Sequence, residues 1–218
     1  MKKTIAVIGA GGAIGSALSP RLAAIGYRIL LMDKDSGKCQ KTFEDCAENP
    51  NADIEIVSCI HEGSWEADII VPAVAYEAQK EVADYIRDVV TGKIVISLTN
   101  PFNDEKDALV TSPNSSAAEE LQRYLPYSKV VKAFNTIFAS EFRNLKDTDC
   151  FIAGDDTSAV TAVASLAREL GMIPHVAGKL QASRTLEGMM LLLKHLCKCN
   201  NTPDAGTFKI LFPKKCGF

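Results

Sequence analysis

The sequence has no excess of basic residues, no long apolar run and no segment dominated by glycine or proline, and each absence excludes a class of protein. Its 24 Lys and Arg against 27 Asp and Glu give a net charge of −3, so nucleic acid is not expected as a partner. The longest apolar run near the C-terminus, Met189 to Leu193, is far too short to cross a bilayer. The N-terminus shows neither the apolar stretch nor the cleavage site of a secretory signal. We therefore expect a cytoplasmic protein that contacts no membrane.

Cysteine is present, but not in a pattern that indicates a disulfide framework. The seven cysteines are odd in number and scattered through apolar segments, which favours reduced, mostly buried thiols. Cys197, Cys199 and Cys216 lack the paired two-residue spacing and the nearby histidine pair of zinc modules, so no metal site is expected.

Short apolar runs alternate with amphipathic stretches along the chain, of which 47% is hydrophobic. Most of the runs are continuously apolar, which is typical of parallel strands that helices cover on both faces. The repeated strand–helix–strand order predicts an α/β fold with a doubly wound, mostly parallel sheet. The predicted strands are 4–8, 28–32, 53–58, 69–72, 93–98, 129–133, 150–153 and 173–177. Pro20 lies inside the first predicted helix and predicts a bend or an earlier end there.

A glycine-rich segment lies between the first predicted strand and the first predicted helix. A dinucleotide-binding turn is expected at this position, because backbone amides and the positive end of the helix dipole can there face a pyrophosphate. Gly9, Gly12 and Gly15 give a G-x-x-G-x-x-G variant of the usual G-x-G-x-x-G pattern, and a glycine turn without a ligand is the alternative. The residues predicted to bind the cofactor are Gly9, Ala10, Gly11, Gly12, Ala13, Ile14 and Gly15.

Asp33 ends the second predicted strand, about 20 residues beyond the glycine segment, where the ribose-binding acid of such folds is expected. Its carboxylate would accept hydrogen bonds from the ribose hydroxyls and repel a 2′-phosphate, which favours NAD over NADP. Lys34 partly offsets that repulsion. The alternative is that Asp33 caps the next helix.

The chain divides at the predicted end of this nucleotide-binding unit. We expect a Rossmann dinucleotide-binding domain over residues 1–180. Residues 181–218 form a C-terminal helix and tail, packed on the same domain or on a dimer partner, because an apolar helix must be buried.

The three histidines, His61, His175 and His195, have no obvious carboxylate partner at the predicted strand ends, so a His–Asp proton relay is not expected. Hydride transfer between two planar rings needs no strong general base, only rings held face to face with water excluded. Residues at three strand ends would surround a nicotinamide, although Asn100 and Asn135 alternatively only satisfy loop backbone. The candidate cleft residues are Tyr76, Asn100, Pro101, Phe134, Asn135 and Thr136.

Several segments, in order, resemble one family. IGAGGAIGSALSPRLAAIGY, GKIVISLTNPF, KVVKAFNTIFA and AGKLQASRTLE look like the coenzyme F420-dependent NADP oxidoreductases. The cytosolic reductase domain of the STEAP metalloreductases is similar. The resemblance implies an NAD(P)H-dependent oxidoreductase, usually a homodimer, with nicotinamide near Ala75, Tyr76, Asn100 and Pro101. A flavin or deazaflavin acceptor would lie beside residues 134–136.

Two departures from the family leave details open. The family usually has Ser-Arg, which binds the 2′-phosphate, where this chain has Asp33 and Lys34, so the choice between NADP and NAD is open. The family's Pro-Trp is replaced by Ala75 and Tyr76, which leaves the second cofactor open. Two other functions remain: a non-catalytic dinucleotide sensor, and a dehydrogenase of a small hydroxy or imino acid. The latter would need a Lys or His directed at the cleft.

Overall fold

The computed structural model describes residues 3–202 and 204–211, in which strands and helices alternate from β1 to α7. The strands are β1 (Thr4–Ile8), β2 (Arg28–Met32), β3 (Asp53–Ile56), β4 (Ile69–Pro72), β5 (Ile94–Ser97), β6 (Lys129–Lys132), β7 (Asp149–Gly154) and β8 (Ile173–Gly178). The helices are α1 (Ala13–Ala24), α2 (Ser36–Ala47), α3 (Ile60–Glu66), α4 (Tyr76–Ile86), α5 (Ala117–Tyr124), α6 (Thr157–Glu169) and α7 (Ser183–Cys199). Short 3₁₀ turns cover Ala139–Arg143 and Leu180–Ala182.

The strands form one sheet in the order β3-β2-β1-β4-β5-β6-β7-β8. Strands β1 to β6 are parallel, β7 is antiparallel to β6, and β8 is parallel to β7. The predicted fold class, a doubly wound and mostly parallel sheet, is confirmed. Because β1 to β6 share a direction, their carboxyl ends meet at one edge, where ligands bind in open α/β sheets.

Central and edge strands differ in burial. β1 and β2 are buried from their second residue onward, and β4 and β5 throughout, which explains their continuously apolar sequences. Alternate residues of β1 face opposite sides, so Ile5 and Val7 join one core cluster and Ala6 and Ile8 the other. The outermost strands β3 and β8 are largely exposed.

Helix ends follow local chemistry. Asp156 caps α6 by accepting a hydrogen bond from the Ala159 amide at 2.8 Å, and Gly171, with φ +90°, follows the helix. Pro20 lies within α1, which continues to Ala24, so this helix does not end early. A long irregular stretch follows β5 and contains an isolated bridge between Phe102 and Leu109.

The C-terminal segment packs on its own chain. One face of α7 is buried, through residues such as Leu186, Met190 and Leu193, while Leu192 and Leu196 on the opposite face are 51% and 44% exposed. In the described residues no helix is both long and apolar enough to cross a membrane. The six described cysteines are free thiols, and Cys216 lies outside the described residues.

Residues 207–211 contact β7. Phe208 and Ile210 pack with the cluster around Phe151, and Asp149 at the start of β7 accepts a hydrogen bond from Lys209 at 3.2 Å. The Ile210 amide also donates to Asp149. The tail is therefore attached by both apolar and ionic contacts.

Candidate active site

The glycine turn after β1 is shaped by close backbone approaches. Gly9 has φ +84°, and a Cβ there would lie 2.6 Å from the Ala73 carbonyl oxygen. A Cβ on Gly15 would lie 2.2 Å from the Gly9 carbonyl oxygen, and one on Gly11 would lie 2.4 Å from the Lys38 Cβ. Real Cβ atoms do not tolerate such distances. The turn therefore brings β1, β4, α1 and α2 together so closely that a side chain at any of these positions would displace a neighbour.

The N-terminus of α1 suits an anion. Its cap residue, Gly12, has extended backbone and makes no side-chain hydrogen bond, and no acidic residue occupies the first turn. By contrast, side chains of Asp35, Ser116 and Asp156 cap α2, α5 and α6. The first amides of α1 therefore have no side-chain acceptor from the cap, and the helix dipole favours negative charge in front of them.

Asp33 lies against this turn rather than capping a helix. One of its carboxylate oxygens accepts a hydrogen bond from the Gly11 amide at 2.8 Å, and the other accepts from the Asp35 amide at 2.8 Å. The cap of α2 is Asp35, which accepts from the Lys38 amide at 3.1 Å. The capping alternative for Asp33 is therefore wrong, and its half-buried carboxylate stands beside the glycine turn while Lys34 is exposed.

Contacts continue from the glycine turn along the carboxyl ends of the parallel strands. The Ala73 amide donates to the Ile8 carbonyl at 2.8 Å, which joins β4 to β1. The Thr99 hydroxyl donates to the Val74 carbonyl at 3.4 Å, which joins the loop after β5 to the loop after β4. We call this surface, formed by residues 9–15, 73–76, 99–102 and 133–137, the strand-end rim.

Asn100 and Asn135 meet on the rim and hold each other. The Asn100 side-chain amide donates to the Asn135 carbonyl, and the Asn135 side-chain amide donates to the Asn100 side-chain oxygen, both at 2.9 Å. Asn135 also donates to the Leu186 carbonyl of α7 at 2.9 Å. Its own side-chain oxygen is buried and has no hydrogen-bond partner among the described residues. The two predicted asparagines therefore form one unit with a spare acceptor.

Other predicted cleft residues contribute less surface than their sequence positions suggest. Phe134 is 1% exposed, belongs to the main core cluster and adopts a left-handed backbone with φ +61°, so its ring offers no stacking face. Thr136 is 2% exposed, and Pro101 is buried.

The Tyr76 side chain is held in place by a hydrogen bond to a neighbouring helix. It begins α4, and its hydroxyl donates to Glu120 of α5 at 2.7 Å. Burial and the Glu120 carboxylate raise the pKa of Tyr76 above its usual value, which keeps the phenol protonated. Ala75, just before it, is exposed.

One buried ion pair escaped the sequence reasoning. Lys132, the last residue of β6, is fully buried and bonds to the equally buried Glu187 of α7 at 2.7 Å. The sequence does show a lysine at the end of an apolar strand and a glutamate within an apolar helix. Lysines and glutamates that face solvent occupy such positions too, so the pattern does not indicate a buried pair.

Comparison with known proteins shows which family the chain resembles. Residues 4–101 match the sequence model of the NADP oxidoreductase, coenzyme F420-dependent family. An F420-dependent NADP reductase of Methanothermobacter thermautotrophicus is 29% identical over 94% of both chains. The corresponding reductase of Methanocaldococcus jannaschii is 26% identical over 87% of this chain and 90% of its own. The chain is a relative of the coenzyme F420-dependent NADP oxidoreductases. The enzyme prediction is confirmed with it: the chain is an NAD(P)-dependent oxidoreductase.

Two further comparisons agree with the resemblance. The metalloreductase STEAP3 of Rattus norvegicus is 27% identical over 87% of this chain, which spans 36% of that protein. A solved structure from Arthrobacter sp. FB24, assigned as an F420-dependent NADP reductase, superposes with a TM-score of 0.78 at 23% identity, over 92% of this chain and 96% of the other. That superposition supports the fold.

Proposed function

We propose that this member of the oxidoreductase group binds a nicotinamide dinucleotide along the strand-end rim and transfers hydride to or from a flavin-like or deazaflavin acceptor. The observation that carries the proposal is the continuity of the rim. Backbone and side-chain contacts run without a break from the glycine turn through residues 73–74 and 99–100 to Asn135. An extended two-part cofactor needs such a continuous platform.

The residues present fit the cofactor at both ends. At one end, the turn has no space for a single Cβ at Gly9 or Gly15, and the first amides of α1 have no side-chain acceptor from a cap. This geometry supports a diphosphate bound to backbone amides. At the other end, Asn135 holds the half-buried Asn100 side chain on the rim, and the Asn100 amide keeps one N–H and one oxygen lone pair that a carboxamide could use.

The chemistry places few demands on the chain's own side chains. A bound nicotinamide supplies or accepts the hydride. The rim would hold the ring through Asn100 and Asn135, and the buried Pro101 would exclude water. The acceptor would approach from the side of the ring where Ala75 is exposed. A small residue at that position supports a ring stacked directly on the nicotinamide.

A dehydrogenase of small imino or hydroxy acids is less well supported. It requires a Lys or His at the cleft to move a proton. Lys132 is buried in an ion pair, and His61 bonds to Asp88 at 3.1 Å on the α3–α4 surface. His175, on the edge strand β8, contacts Asp149 of β7, and His195 is exposed on α7.

We further propose that NAD is preferred. The relatives named above are NADP reductases by name, yet here the Asp33 carboxylate lies beside the glycine turn, where it would accept from ribose hydroxyls and repel a 2′-phosphate. Its contact with the Gly11 amide holds the carboxylate in place before a nucleotide arrives.

A homodimer is the oligomer we propose, since Leu192 and Leu196 form an apolar strip on the outer face of α7. Light scattering of the wild-type chain and of L192E/L196E measures it. The wild type should have twice the mass of the variant, and a monomeric wild type would contradict the proposal.

The central test combines binding and turnover. Calorimetric titration with NADH and NADPH should show binding of at least one nucleotide, tighter for NADH. Adding FMN, FAD or a deazaflavin to the reduced nucleotide should then consume nicotinamide absorbance. If a nucleotide binds but none of these acceptors supports turnover, the proposed acceptor class is contradicted. If neither nucleotide binds at millimolar concentration, the whole proposal is overturned.

A further inference from the structure

The carboxyl end of β6 carries a charged side chain that no solvent reaches. Lys132 is fully buried at the end of β6, where its ammonium bonds to the Glu187 carboxylate at 2.7 Å and also donates to the Thr99 carbonyl. Burial lowers the pKa of Lys132, and Glu187 opposes that shift. A desolvated ammonium is expensive, so its partners must compensate closely.

Glu187 connects the pair to a second helix. Its carboxylate accepts hydrogen bonds from the Ala117 amide at 3.1 Å and the Ala118 amide at 3.4 Å, which are the first two residues of α5. The positive end of that helix favours a carboxylate there. One ion pair thus joins β6, α5, α7 and the loop that follows β5.

The same elements are joined a second time, by the asparagines of the rim. Lys132 holds Thr99 and Glu187, while Asn135, three residues later, holds Asn100 and Leu186. Two adjacent residues of the loop after β5, Thr99 and Asn100, are therefore bonded to Lys132 and Asn135. Two adjacent residues of α7, Leu186 and Glu187, are bonded to the same pair. The Thr99 hydroxyl extends this network to the Val74 carbonyl.

A buried ion pair of this kind is a poor way to gain stability. Replacing both charges with neutral groups of similar size is often neutral or stabilising, because desolvation of the charges offsets their attraction. What a buried, directional pair does provide is one defined geometry for the groups that it joins.

We propose that Lys132 and Glu187 are positioning residues, which fix the Thr99–Pro101 loop at the height that the nicotinamide ring requires. The inference rests on the proposed function for the identity of the ring, but not for the rigidity of the loop. It also makes α7, through Glu187 and Leu186, part of the active-site scaffold rather than an appendage to the nucleotide-binding unit.

The test uses the double variant K132M/E187Q. It removes both charges at nearly constant length, and the glutamine retains an oxygen for the Ala117 and Ala118 amides. The matched control is K129M, the same substitution at the other end of β6, where Lys129 pairs with Asp156 at 3.1 Å and is partly exposed.

Amide hydrogen exchange measures the loop without reference to activity. In K132M/E187Q the thermal unfolding midpoint should remain close to that of the wild type, while peptides covering residues 99–103 should exchange about tenfold faster. K129M should match the wild type in both. Unchanged exchange in a folded double variant would overturn the inference, and so would equally accelerated exchange across the whole chain, which reports general destabilisation.

Kinetics then separates positioning from binding. Because a misplacement of about 1 Å costs roughly 100-fold in rate, kcat of the double variant should fall about 100-fold. The nucleotide dissociation constant should change less than threefold or so, since the glycine turn is untouched. A wild-type chain without turnover would refute the proposed function while the exchange result still decides the positioning role. A double variant with wild-type kcat would refute the positioning role alone.

Discussion

The two halves of the strand-end rim achieve order in different ways. The half formed by β1, β2 and β4 is built from backbone contacts, and its distances are set by residues that have no side chain, such as Gly9 and Gly15. The half formed by β5, β6 and α7 is built from side chains, with a buried ion pair and two interlocked asparagines. A backbone-built site suits a diphosphate common to many ligands, whereas a side-chain network can be adapted to one particular ring and its acceptor.

The largest effect is expected where a charge in the side-chain half loses its partner. K132M leaves the Glu187 carboxylate buried and unpaired, which should lower the free energy of unfolding by about 3–5 kcal/mol. Urea denaturation followed by circular dichroism measures the change. The control K129M should lose less than about 1 kcal/mol, because its ion pair is solvated. If both substitutions cost the same, the contrast between the buried and exposed ends of β6 does not hold.

The backbone half should respond to the addition of a single methyl group. In G15A the new Cβ would meet the Gly9 carbonyl oxygen, a backbone atom that cannot move aside, so we expect a loss of about 3 kcal/mol in unfolding free energy. Nucleotide binding should weaken with it. Gly188 in α7 has no atom within 4 Å of an added Cβ, and G188A should stabilise the chain by about 0.5–1 kcal/mol. A tolerated G15A would show that the turn adapts.

The nucleotide preference should be sensitive to Asp33, where the two kinds of construction meet. D33S removes a charged acceptor from the proposed ribose site and the repulsion of a 2′-phosphate, which should shift the NAD-to-NADP binding ratio by about 1–3 kcal/mol. D35S is the control. It also removes one carboxylate, but that carboxylate accepts from the Lys38 amide at the start of α2, and serine can still cap this helix. Calorimetry with both nucleotides measures the ratio. Tighter binding of NADP to the unmodified chain would show that Asp33 has another role.

The smallest effect concerns a site far from the rim. The Ser158 hydroxyl, the Ala159 amide and Lys129 lower the pKa of Asp156 from 3.8 to about 2. A carboxyl whose pKa falls on folding stabilises the fold above pH 3.8, and this contribution is lost as the pH falls towards about 2. The unfolding midpoint of D156S should therefore decrease less over that interval than that of the wild type, and D156N should behave like D156S. Parallel curves for all three would contradict the assignment.

The sequence predicts the half of the rim that is built from backbone contacts better than the half that is built from side chains. Glycine spacing, strand runs and Asp33 report backbone geometry directly, and the structure reproduces β1, β2 and β4 residue for residue. The buried face of α2 carries Cys39, Thr42 and Cys46 rather than large aliphatic residues, so its helical spacing is a weaker signal in the sequence.

The side-chain half could not be predicted in the same way. The contact between Lys132 and Glu187 joins residues 55 positions apart, and nothing local distinguishes them from charges that face solvent. Asn100 and Asn135 were correctly singled out as strand-end residues, but their reciprocal bonds depend on the exact register of β5 and β6. Phe134 was expected to flank the acceptor, yet the left-handed backbone turns its ring into the core.

The reversal of β7 has a practical consequence for work with this protein. Because β7 runs against β6, its first residue, Asp149, reaches the same edge as the glycine turn, and the segment ending at Leu211 is fastened there through Lys209 and Ile210. Thr4, at the start of β1, lies at the far edge of the sheet. A fluorophore placed at position 3, just ahead of β1, would therefore lie away from the strand-end rim, whereas one placed at the exposed position 211 would lie on the same edge as the rim.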